Sequence, residues 1–235
     1  MVQCSKITAH SGCDGTPDNS REFLAYAMQL PVDCVEVDVR RSPDDRLILA
    51  HDEGEARGLL EDAFRELANF PTKKINCDLK QEKLEIPVFR LAESFGVQTQ
   101  LIYSGCVSEA AAQEHPGLFG IVDWYLNIEL VFPQIYYDPG HAIALDYISA
   151  SRMACQLQVY VERVGAKCVN AHYDIERTLL YPRLLDRKIP CSVWTPNEEG
   201  VIRRFLEDRV YNITTRNAAR ACEMAQGTAA LERVQ

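Results

Sequence analysis

The sequence of 235 residues predicts a closed (β/α)₈ barrel, and two observations support this fold class. Short segments that alternate apolar and polar residues, as half-buried strands do, are followed repeatedly by segments with the spacing of amphipathic helices. Strands that alternate with helices form parallel sheets, and eight such pairs are what a closed barrel requires. The length suits one domain spanning residues 1–235. An open doubly wound sheet is the alternative, but no Gly-x-Gly-x-x-Gly follows the first strand.

The predicted strands are short, and most are apolar on one side. In Cys34–Arg40 three valines face one way while Glu36 and Asp38 face the other, because side chains two residues apart point to the same side of a strand. A turn at Ser42–Arg46 then leads to a short hairpin strand, Leu47–Ala50. The other strands are predicted at Lys6–His10, Lys74–Lys80, Gln100–Ser104, Asp123–Glu129, Lys167–Tyr173, Ile189–Thr195 and Val210–Thr215.

Eight segments with helical spacing separate and follow these strands. They are Ser20–Leu30, Leu59–Asn69, Val88–Phe95, Ser108–Glu114, Asp146–Val164, Asp174–Arg187, Asn197–Leu206 and Asn217–Val234. The last of them is amphipathic, and packing against the barrel is favoured over a face for a homo-oligomer. The stretch Phe132–His141 is expected to be the longest loop with aromatic residues, which either shapes a substrate cleft or packs on itself.

Composition argues against several classes of protein. The net charge is −9 with no run of basic residues, so no nucleic-acid partner is expected. No segment reaches the roughly 18 consecutive apolar residues that span a bilayer, so stable membrane insertion is not expected either. The nine cysteines form no Cys-x-x-Cys pair, and the first residues lack the pattern of a signal peptide. A cytoplasmic location is therefore the expectation.

Polar residues concentrate where the predicted strands end. Catalytic groups in barrels of this class come from the carboxyl ends of the strands. The residues in question are His10, Glu36, Asp38, Asp78, Lys80, Glu129, His172 and Trp194, with His51 after the hairpin strand. We therefore expect a functional site at the mouth of the barrel. For Glu129 the alternative is a salt bridge to Lys80, and for His172 it is a packed position in the core.

Three of these residues predict a metal site. Two carboxylates side by side on one buried strand repel each other unless one is protonated or a cation lies between them. Glu36 and Asp38 form such a pair, and Asp78 on the next strand adds a third carboxylate. Oxygen donors suit Mg²⁺ or Ca²⁺ better than zinc or copper. A divalent cation, Mg²⁺ or Ca²⁺, is the predicted cofactor, acting as a Lewis acid on a phosphoryl oxygen.

The remaining residues suit the cleavage of a phosphodiester. Lys80 lies two residues beyond Asp78 on the same strand face and can bind a phosphate oxygen as a point charge. His10 and His51 come from different segments and can act as paired base and acid near neutral pH. One histidine would remove a proton from the nucleophile, and the other would give a proton to the leaving alcohol. A small-molecule phosphodiester is therefore the predicted substrate.

With these residues in place, the chain resembles the glycerophosphodiester phosphodiesterase superfamily. The pattern of that superfamily runs His-Arg-Gly, Pro-Glu-Asn-Thr, Glu-x-Asp, His-Asp, Glu-x-Lys and Trp-Thr. The corresponding segments here are His10-Ser11-Gly12, Pro17-Asp18-Asn19-Ser20, Glu36-Val37-Asp38, His51-Asp52, Asp78-Leu79-Lys80 and Trp194-Thr195. Their order and spacing agree over most of the chain, most closely over residues 7–80.

The resemblance implies a barrel of the phospholipase C-like phosphodiesterase type with a bound divalent cation. It also implies that a neighbouring hydroxyl of the substrate attacks phosphorus, giving a cyclic phosphate that water then opens. By position it assigns catalysis to His10 and His51, the metal to Glu36, Asp38 and Asp78, the phosphate to Lys80 and a wall of the substrate cleft to Trp194.

Three departures from the pattern bear on the substrate. Ser11 replaces an arginine that could bind phosphate with two hydrogen bonds. Other arginines could take its place: Arg40, Arg41 or Arg216. Asp78 replaces a glutamate and has a shorter reach. The family's insertion, which helps to shape the glycerol pocket, is reduced here to Glu53–Lys73.

Other functions stay open on the sequence alone. Sphingomyelinase D-type phospholipases, which release a cyclic phosphate, also lack the insertion and carry Asp-x-Lys on the third strand. Their characteristic loop cysteines and carboxyl-terminal tail are not recognisable in this chain. A barrel that binds phosphorylated ligands without turnover is a second alternative, since Ser11 replaces the arginine. A metal-assisted aldolase or isomerase, with Lys80 as its lysine, is a third.

Overall fold

Within residues 4–138, 141–142 and 145–232, which the computed structural model describes, eight parallel strands form one barrel. In chain order the barrel strands are Lys6–Ala9 (β1), Cys34–Arg41 (β2), Lys74–Leu79 (β3), Leu101–Gly105 (β4), Asp123–Asn127 (β5), Cys168–His172 (β6), Cys191–Trp194 (β7) and Asn212–Thr215 (β8). Each of them overlaps one predicted strand, and most are shorter by one to three residues.

The last strand pairs with the first. β8 runs parallel to β1 with Ala9 opposite Thr215, and β1 pairs on its other side with β2, where Thr8 lies opposite Cys34. The strands between them pair in chain order, so the ring has no break. This closure confirms the predicted (β/α)₈ barrel and excludes the open sheet.

Helices cover the strands on the outside. In the described part of the chain the α-helices are Arg21–Gln29 (α1), Leu60–Leu67 (α2), Glu85–Phe95 (α3), Glu109–Glu114 (α4), Pro116–Phe119 (α5), Tyr147–Val164 (α6), Leu180–Asp186 (α7), Glu199–Glu207 (α8) and Ala218–Glu232 (α9). The short α5 was not predicted; Pro116 begins it at a position where a missing N–H costs nothing. None of the described helices combines the length and the apolarity that crossing a bilayer requires.

The predicted helix Asp174–Arg187 is wrong in its first half. The structure has a 3₁₀ segment, Tyr173–Arg177, followed by α7. Thr178 separates the two, because its hydroxyl donates to the carbonyl of Ile175 at 2.8 Å and accepts from the N–H of Leu180 at 3.2 Å. Side chains of this type compete with the backbone for hydrogen bonds and so end one turn and begin the next.

Two short antiparallel hairpins accompany the barrel. Leu47–Leu49 pairs with β2 and with Gly58–Leu59, in agreement with the hairpin strand predicted at Leu47–Ala50. Tyr136–Asp138 pairs with His141–Ala142 within the stretch that was predicted to be a loop. Residues 139 and 140 of that stretch, like residues 233 and 234 of the last predicted helix, lie outside the described residues.

A network of polar side chains ties β1, β7 and β8 together on the inner face of the barrel. Thr8 Oγ1 donates to Asn212 Oδ1 at 2.7 Å, and Asn212 Nδ2 lies 3.0 Å from Ser192 Oγ and 3.1 Å from Thr214 Oγ1. All four residues are buried. Buried polar atoms are tolerated when they are paired in this way, so Asn212 joins the two strands at which the barrel closes.

We predict that Asn212→Ala lowers the free energy of unfolding by about 1–3 kcal/mol, because Thr8 and Ser192 lose partners in a site that water does not reach. Chemical denaturation followed by circular dichroism measures the change. Asn69→Ala is the matched control: Asn69 is exposed and donates at 3.3 Å to Arg65 O, so a loss of less than about 0.5 kcal/mol is expected. Equal losses for the two variants would contradict the role given to Asn212.

Candidate active site

The carboxyl ends of the barrel strands surround a cavity of about 600 Å³. Of the residues predicted to form the site, those that line the cavity are His10, Glu36, Asp38, His51, Asp78, Lys80, Glu129 and Trp194. A larger cavity of about 1040 Å³ lies at the opposite end of the barrel, around Lys6, Lys167 and Tyr211. The carboxylate cluster and the two histidines lie at the mouth, so we treat the smaller cavity as the candidate active site.

Three carboxylates meet at one wall of this cavity. Glu36 and Asp38 lie on the inner face of β2, and Asp78 on β3 lies directly opposite Asp38 in the parallel register. One oxygen from each carboxylate lies within 4.8 Å of those of the other two. The valines that alternate with Glu36 and Asp38 are fully buried in the apolar core, and this burial fixes the direction in which the carboxylates point.

Lys80 holds two of these carboxylates together. Its Nζ lies 2.8 Å from Asp38 Oδ1 and 2.5 Å from Asp78 Oδ2. Burial alone would lower the pKa of Lys80, but the carboxylates of Asp78, Asp38 and Glu36 outweigh it and raise the pKa above its ordinary value. Burial likewise opposes ionisation of Asp38, yet the charge and hydrogen bonds of Lys80 and Asn19 hold its pKa below the ordinary value. Lys80 and Asp38 are therefore an ion pair.

Glu36 is the carboxylate of the cluster with which Lys80 forms no ion pair among the described residues. Burial, together with the negative charges of Asp38 and Asp78, raises its pKa well above the ordinary value. Its one hydrogen bond from the backbone, at 3.0 Å from Ser11 N to Glu36 Oε2, is too little to offset this. A further positive charge at the cluster would favour the ionised form of Glu36, and a set of carboxylate oxygens fits Mg²⁺ or Ca²⁺. The three residues therefore fit the predicted cation.

His10 lies beside this cluster at the end of β1. Its Nδ1 is 2.8 Å from the carbonyl oxygen of Ser11, which can only accept, so Nδ1 carries the hydrogen and Nε2 of the neutral ring has the free electron pair. Burial lowers the pKa of His10, and the side chain is only 23% exposed. His10 is thus a neutral imidazole at pH 7 with its basic nitrogen available, as a general base must be.

His51 reaches the same cavity from the loop that joins Leu47–Leu49 to Gly58–Leu59. Its side chain is 63% exposed, and Nδ1 is 3.1 Å from Asp52 Oδ1. Two hydrogen bonds fix the loop to β2: Arg40 Nε donates to the carbonyl of His51 at 2.8 Å, and Ala50 N–H donates to the carbonyl of Asp38 at 3.1 Å. The strand that carries two of the carboxylates therefore also positions this histidine.

Glu129 lines the opposite side of the cavity without contacting Lys80. Asn127 Nδ2 donates to Glu129 Oε1 at 2.9 Å, and Asn170 Nδ2 donates to Asn127 Oδ1 at 2.9 Å. Glu129 Oε2 is buried and has no hydrogen-bond partner among the described residues. Burial raises the pKa of Glu129. The predicted alternative, a salt bridge to Lys80, is not found among the ion pairs of the described chain.

Trp194 lines the cavity, and His172 lies behind it. The ring centroids of His172 and Trp194 are 5.0 Å apart, and the rings of Tyr136 and Tyr173 also pack on His172. The hydroxyl of Tyr136 accepts the backbone N–H of His172 at 2.9 Å. Among the described residues, His172 is not part of the cavity lining. It supports the cleft wall that Trp194 presents.

Asn19 and Ser104 were not predicted to belong to the site. Asn19 Nδ2 donates to Asp38 Oδ2 at 2.7 Å while its Oδ1 accepts the Asp38 N–H at 3.0 Å, and Ser104 Oγ donates to Asp78 Oδ1 at 2.6 Å. The Pro17-Asp18-Asn19-Ser20 motif contained the signal for Asn19. Ser104 had no signal beyond its place at the end of a strand.

Solved structures share this architecture, although neither a protein-family model nor a curated protein matches the sequence. A glycerophosphodiester phosphodiesterase from Parabacteroides distasonis superposes with a TM-score of 0.70 over 97% of this chain and 100% of its own, at 15% identity. The Thermotoga maritima glycerophosphodiester phosphodiesterase gives 0.68 over 95% and 100%, at 16% identity. This chain has the glycerophosphodiester phosphodiesterase fold. The resemblance seen in the motifs is confirmed at the level of the fold.

A third structure adds a ligand to the comparison. A phosphodiesterase from Oleispira antarctica, solved in complex with its product sn-glycerol-3-phosphate, superposes with a TM-score of 0.64 at 14% identity. The match covers 95% of this chain and 97% of the other. At such identities the glycerophosphodiester phosphodiesterase fold is what the two chains share.

Gly105 offers a test of how closely the cluster is packed. It has φ of +77°, and a β-carbon there would collide with the Leu79 backbone and with Asp78 Oδ1. We predict that Gly105→Ala displaces Asp78 and weakens binding of Mg²⁺ or Ca²⁺ by about 10-fold, as loss of support around a ligand typically does. Calorimetric titration with each cation measures the affinity.

Gly96→Ala is the matched control for this variant. Gly96 ends α3 with φ of +72°, and a β-carbon there would meet nothing within 4 Å. Both substitutions carry the same backbone penalty of about 1–2 kcal/mol, so a difference in cation affinity isolates the pressure on Asp78. Equal affinities in the two variants would remove Asp78 from the proposed ligand set.

Proposed function

We propose that this protein is a metal-dependent phosphodiesterase that cleaves a glycerophosphodiester-type substrate to an alcohol and a phosphomonoester. The observation that carries the proposal is the placement of His10 and His51 on one cavity with the cluster of Glu36, Asp38 and Asp78. The fold shared with glycerophosphodiester phosphodiesterases supports it. A histidine pair next to an oxygen-donor cation site suits a reaction in which one proton leaves the nucleophile and another reaches the leaving group.

The proposed cofactor is Mg²⁺ or Ca²⁺, held by Glu36, Asp38 and Asp78. A cation bound there supplies positive charge for the phosphoryl oxygens of the substrate. Asn19 and Ser104 orient two of the ligands through the hydrogen bonds described above. Lys80 lies on the same wall with three N–H donors, so its ammonium can contact a non-bridging phosphate oxygen while it remains paired with Asp38 and Asp78.

The two histidines divide the proton transfers according to their surroundings. His10 is held as a neutral ring with Nε2 free, so it accepts the proton of the attacking hydroxyl. His51 is exposed to solvent and hydrogen-bonded to Asp52, whose carboxylate orients the ring. With His10 assigned as the base, His51 is the second histidine on the cavity and donates the proton to the leaving alcohol.

The other lining residues form the pocket for the alcohol. Trp194 offers an aromatic wall stiffened by His172, and the unpaired oxygen of Glu129 offers an acceptor for a hydroxyl or amine of the substrate. A free buried acceptor is costly without a donor, so Glu129 favours substrates that bring one. His172 contributes to substrate binding through Trp194.

Release of a cyclic phosphate as the final product is a second candidate function. The short Glu53–Lys73 segment and the Asp78–Lys80 pair are shared with phospholipases of the sphingomyelinase D type, which stop at the cyclic phosphate. Entry of ¹⁸O from labelled water into the phosphate product separates the two, since only hydrolysis incorporates it.

The reaction is tested by alcohol release from glycerophosphocholine, glycerophosphoethanolamine, lysophosphatidylcholine and bis(p-nitrophenyl) phosphate. We expect turnover of at least one compound with Mg²⁺ or Ca²⁺ and none with EDTA, because Glu36 lacks its compensating charge when the cation is removed. Readdition of the cation should restore the rate. Turnover that persists in EDTA would refute the metal dependence, and a cation-loaded protein inactive on all four compounds would favour a binding barrel.

Substitution of the histidines tests the mechanism. We predict that His10→Ala and His51→Ala each lower kcat by about 10²–10⁴-fold, the usual contribution of a general acid or base. His115→Ala is the control, since His115 is exposed before α5 and should leave kcat unchanged. Wild-type rates in either active-site variant would show that the proton transfers are assigned to the wrong residues.

We propose a cytoplasmic location for this activity. The nine cysteines are all free thiols, and six of them are buried in the core without a partner sulfur. Reduced cysteines are the rule in a reducing compartment.

A further inference from the structure

Cations that could bind a phosphate anion are scarce in the active-site cavity. Among the described residues that line it, permanently charged cations are Lys80 and Arg216. Lys80 is already shared between Asp38 and Asp78. The cavity also exposes four carboxylates besides Asp78, in a chain with net charge −9. Besides the proposed metal ion, Arg216 is therefore the cationic group of the lining that is not already shared between two carboxylates of the cluster.

Arg216 is fixed at the mouth by its backbone. It follows β8, its N–H donates to Asn197 Oδ1 at 2.9 Å, and its carbonyl accepts the N–H of Asp14 at 2.6 Å. The segment is thus tied both to the loop after β7 and to the loop after β1. A side chain that starts from such a fixed position loses little further freedom when it binds a ligand.

Asp18 orients the guanidinium of Arg216 but accepts only part of its N–H donors. Nη1 and Nη2 donate to the two oxygens of Asp18 at 2.6 and 3.1 Å. These bonds use two of the five N–H groups of an arginine, and the described residues provide no partner for the other three. The side chain is 40% exposed, so the remaining donors are accessible from the cavity.

The guanidinium also lies close to the reacting groups. A β-carbon at Gly12, two residues after His10, would collide with Asp18 Oδ1 and lie against Arg216 Nη1. Burial is the main cause that lowers the pKa of His10, and the charge of Arg216 adds to it. Arg216 thus stands beside the base, on the side of the cavity where Ser11 is too short to reach a ligand.

We propose that Arg216 binds the phosphate group of the substrate through its free N–H donors and that Asp18 is the positioning residue that aims it. The inference rests on the proposed function for the identity of the anion, a phosphodiester or its phosphomonoester product. The substrate site then includes the ion pair of Arg216 with Asp18, two residues that are 198 positions apart in the sequence.

The test compares Arg216→Gln with Arg220→Gln in binding and in turnover. Arg220 is likewise paired with carboxylates, those of Glu199 and Glu223, but lies on α9 outside the cavity lining. Calorimetry with sn-glycerol-3-phosphate in the presence of Mg²⁺ gives Kd without requiring catalysis. We expect a 10- to 100-fold weaker Kd and a similarly raised KM for Arg216→Gln, about what loss of a charged hydrogen bond gives. Arg220→Gln should match the wild type.

The outcomes separate this inference from the proposed function. Turnover by the wild type with an unchanged Kd and KM in Arg216→Gln overturns the inference and leaves the phosphodiesterase standing. Binding of glycerol phosphate that depends on Arg216 in a protein that cleaves none of the diesters overturns the phosphodiesterase and supports the inference. No binding by the wild type overturns the inference.

Asp18→Asn distinguishes a ligand-binding role from a structural one. The asparagine oxygen can still accept one N–H of Arg216, and a competing negative charge is removed. We expect Kd to weaken by no more than about fivefold, because one of the two bonds that aim Arg216 is kept, and the melting temperature to stay near that of the wild type, because exposed ion pairs contribute little to stability. If Asp18→Asn and Arg216→Gln weakened binding by the same factor and lowered the melting temperature by the same amount, the pair would be structural. Arg216→Lys, which keeps the charge, should recover part of the affinity.

Discussion

The contact of Lys80 with the buried carboxylate of Asp38 and the half-buried carboxylate of Asp78 is the interaction on which the mouth of the barrel depends. Asp38 and Asp78 lie opposite each other on neighbouring strands, with Glu36 on the same face. Their mutual repulsion in a site of low dielectric would be destabilising without a nearby cation. Lys80 supplies one positive charge, and the raised pKa of Glu36 indicates that this charge does not balance all three carboxylates. A proton on Glu36 or a cation between the three carboxylates would supply the missing positive charge.

The loops of the site are organised around the same strand. Asn19 from the first loop binds both the side chain and the backbone of Asp38, and the N–H of Ala50 binds the Asp38 carbonyl. Ser104 supports Asp78 from β4. Because β2 is buried on both faces, these contacts hold two loops against a rigid strand. His51 is exposed, yet its loop position is set by the strand that carries the predicted metal ligands.

Strand periodicity accounts for what the sequence could reveal. It placed Glu36 and Asp38 together on one face and Asp78 near the end of the next strand, and the barrel class followed from the count of elements. The same rule fails for His172, because β6 ends there and its Nδ1 accepts the N–H of Asp174, which turns the ring toward Trp194. Contacts over long separations, such as Arg216 with Asp18, carry no local pattern. The hydroxyl of Thr178, which divides a helix, is equally invisible to periodicity.

Ser11, which stands where the family motif has an arginine, makes contacts of its own within the site. Its N–H donates to Glu36 at 3.0 Å, its carbonyl faces Nδ1 of His10 at 2.8 Å, and its hydroxyl accepts the N–H of Asn19 at 2.9 Å. The residue is 1% exposed, so a long cationic side chain could not occupy this position without breaking the bond to Asn19 and with it the support of Asp38. Ser11 thus links His10, Glu36 and the loop that carries Asn19. The contacts of Ser11 leave the phosphate contacts that we propose to the metal site, to Lys80 and to Arg216, whose backbone is anchored at another strand end.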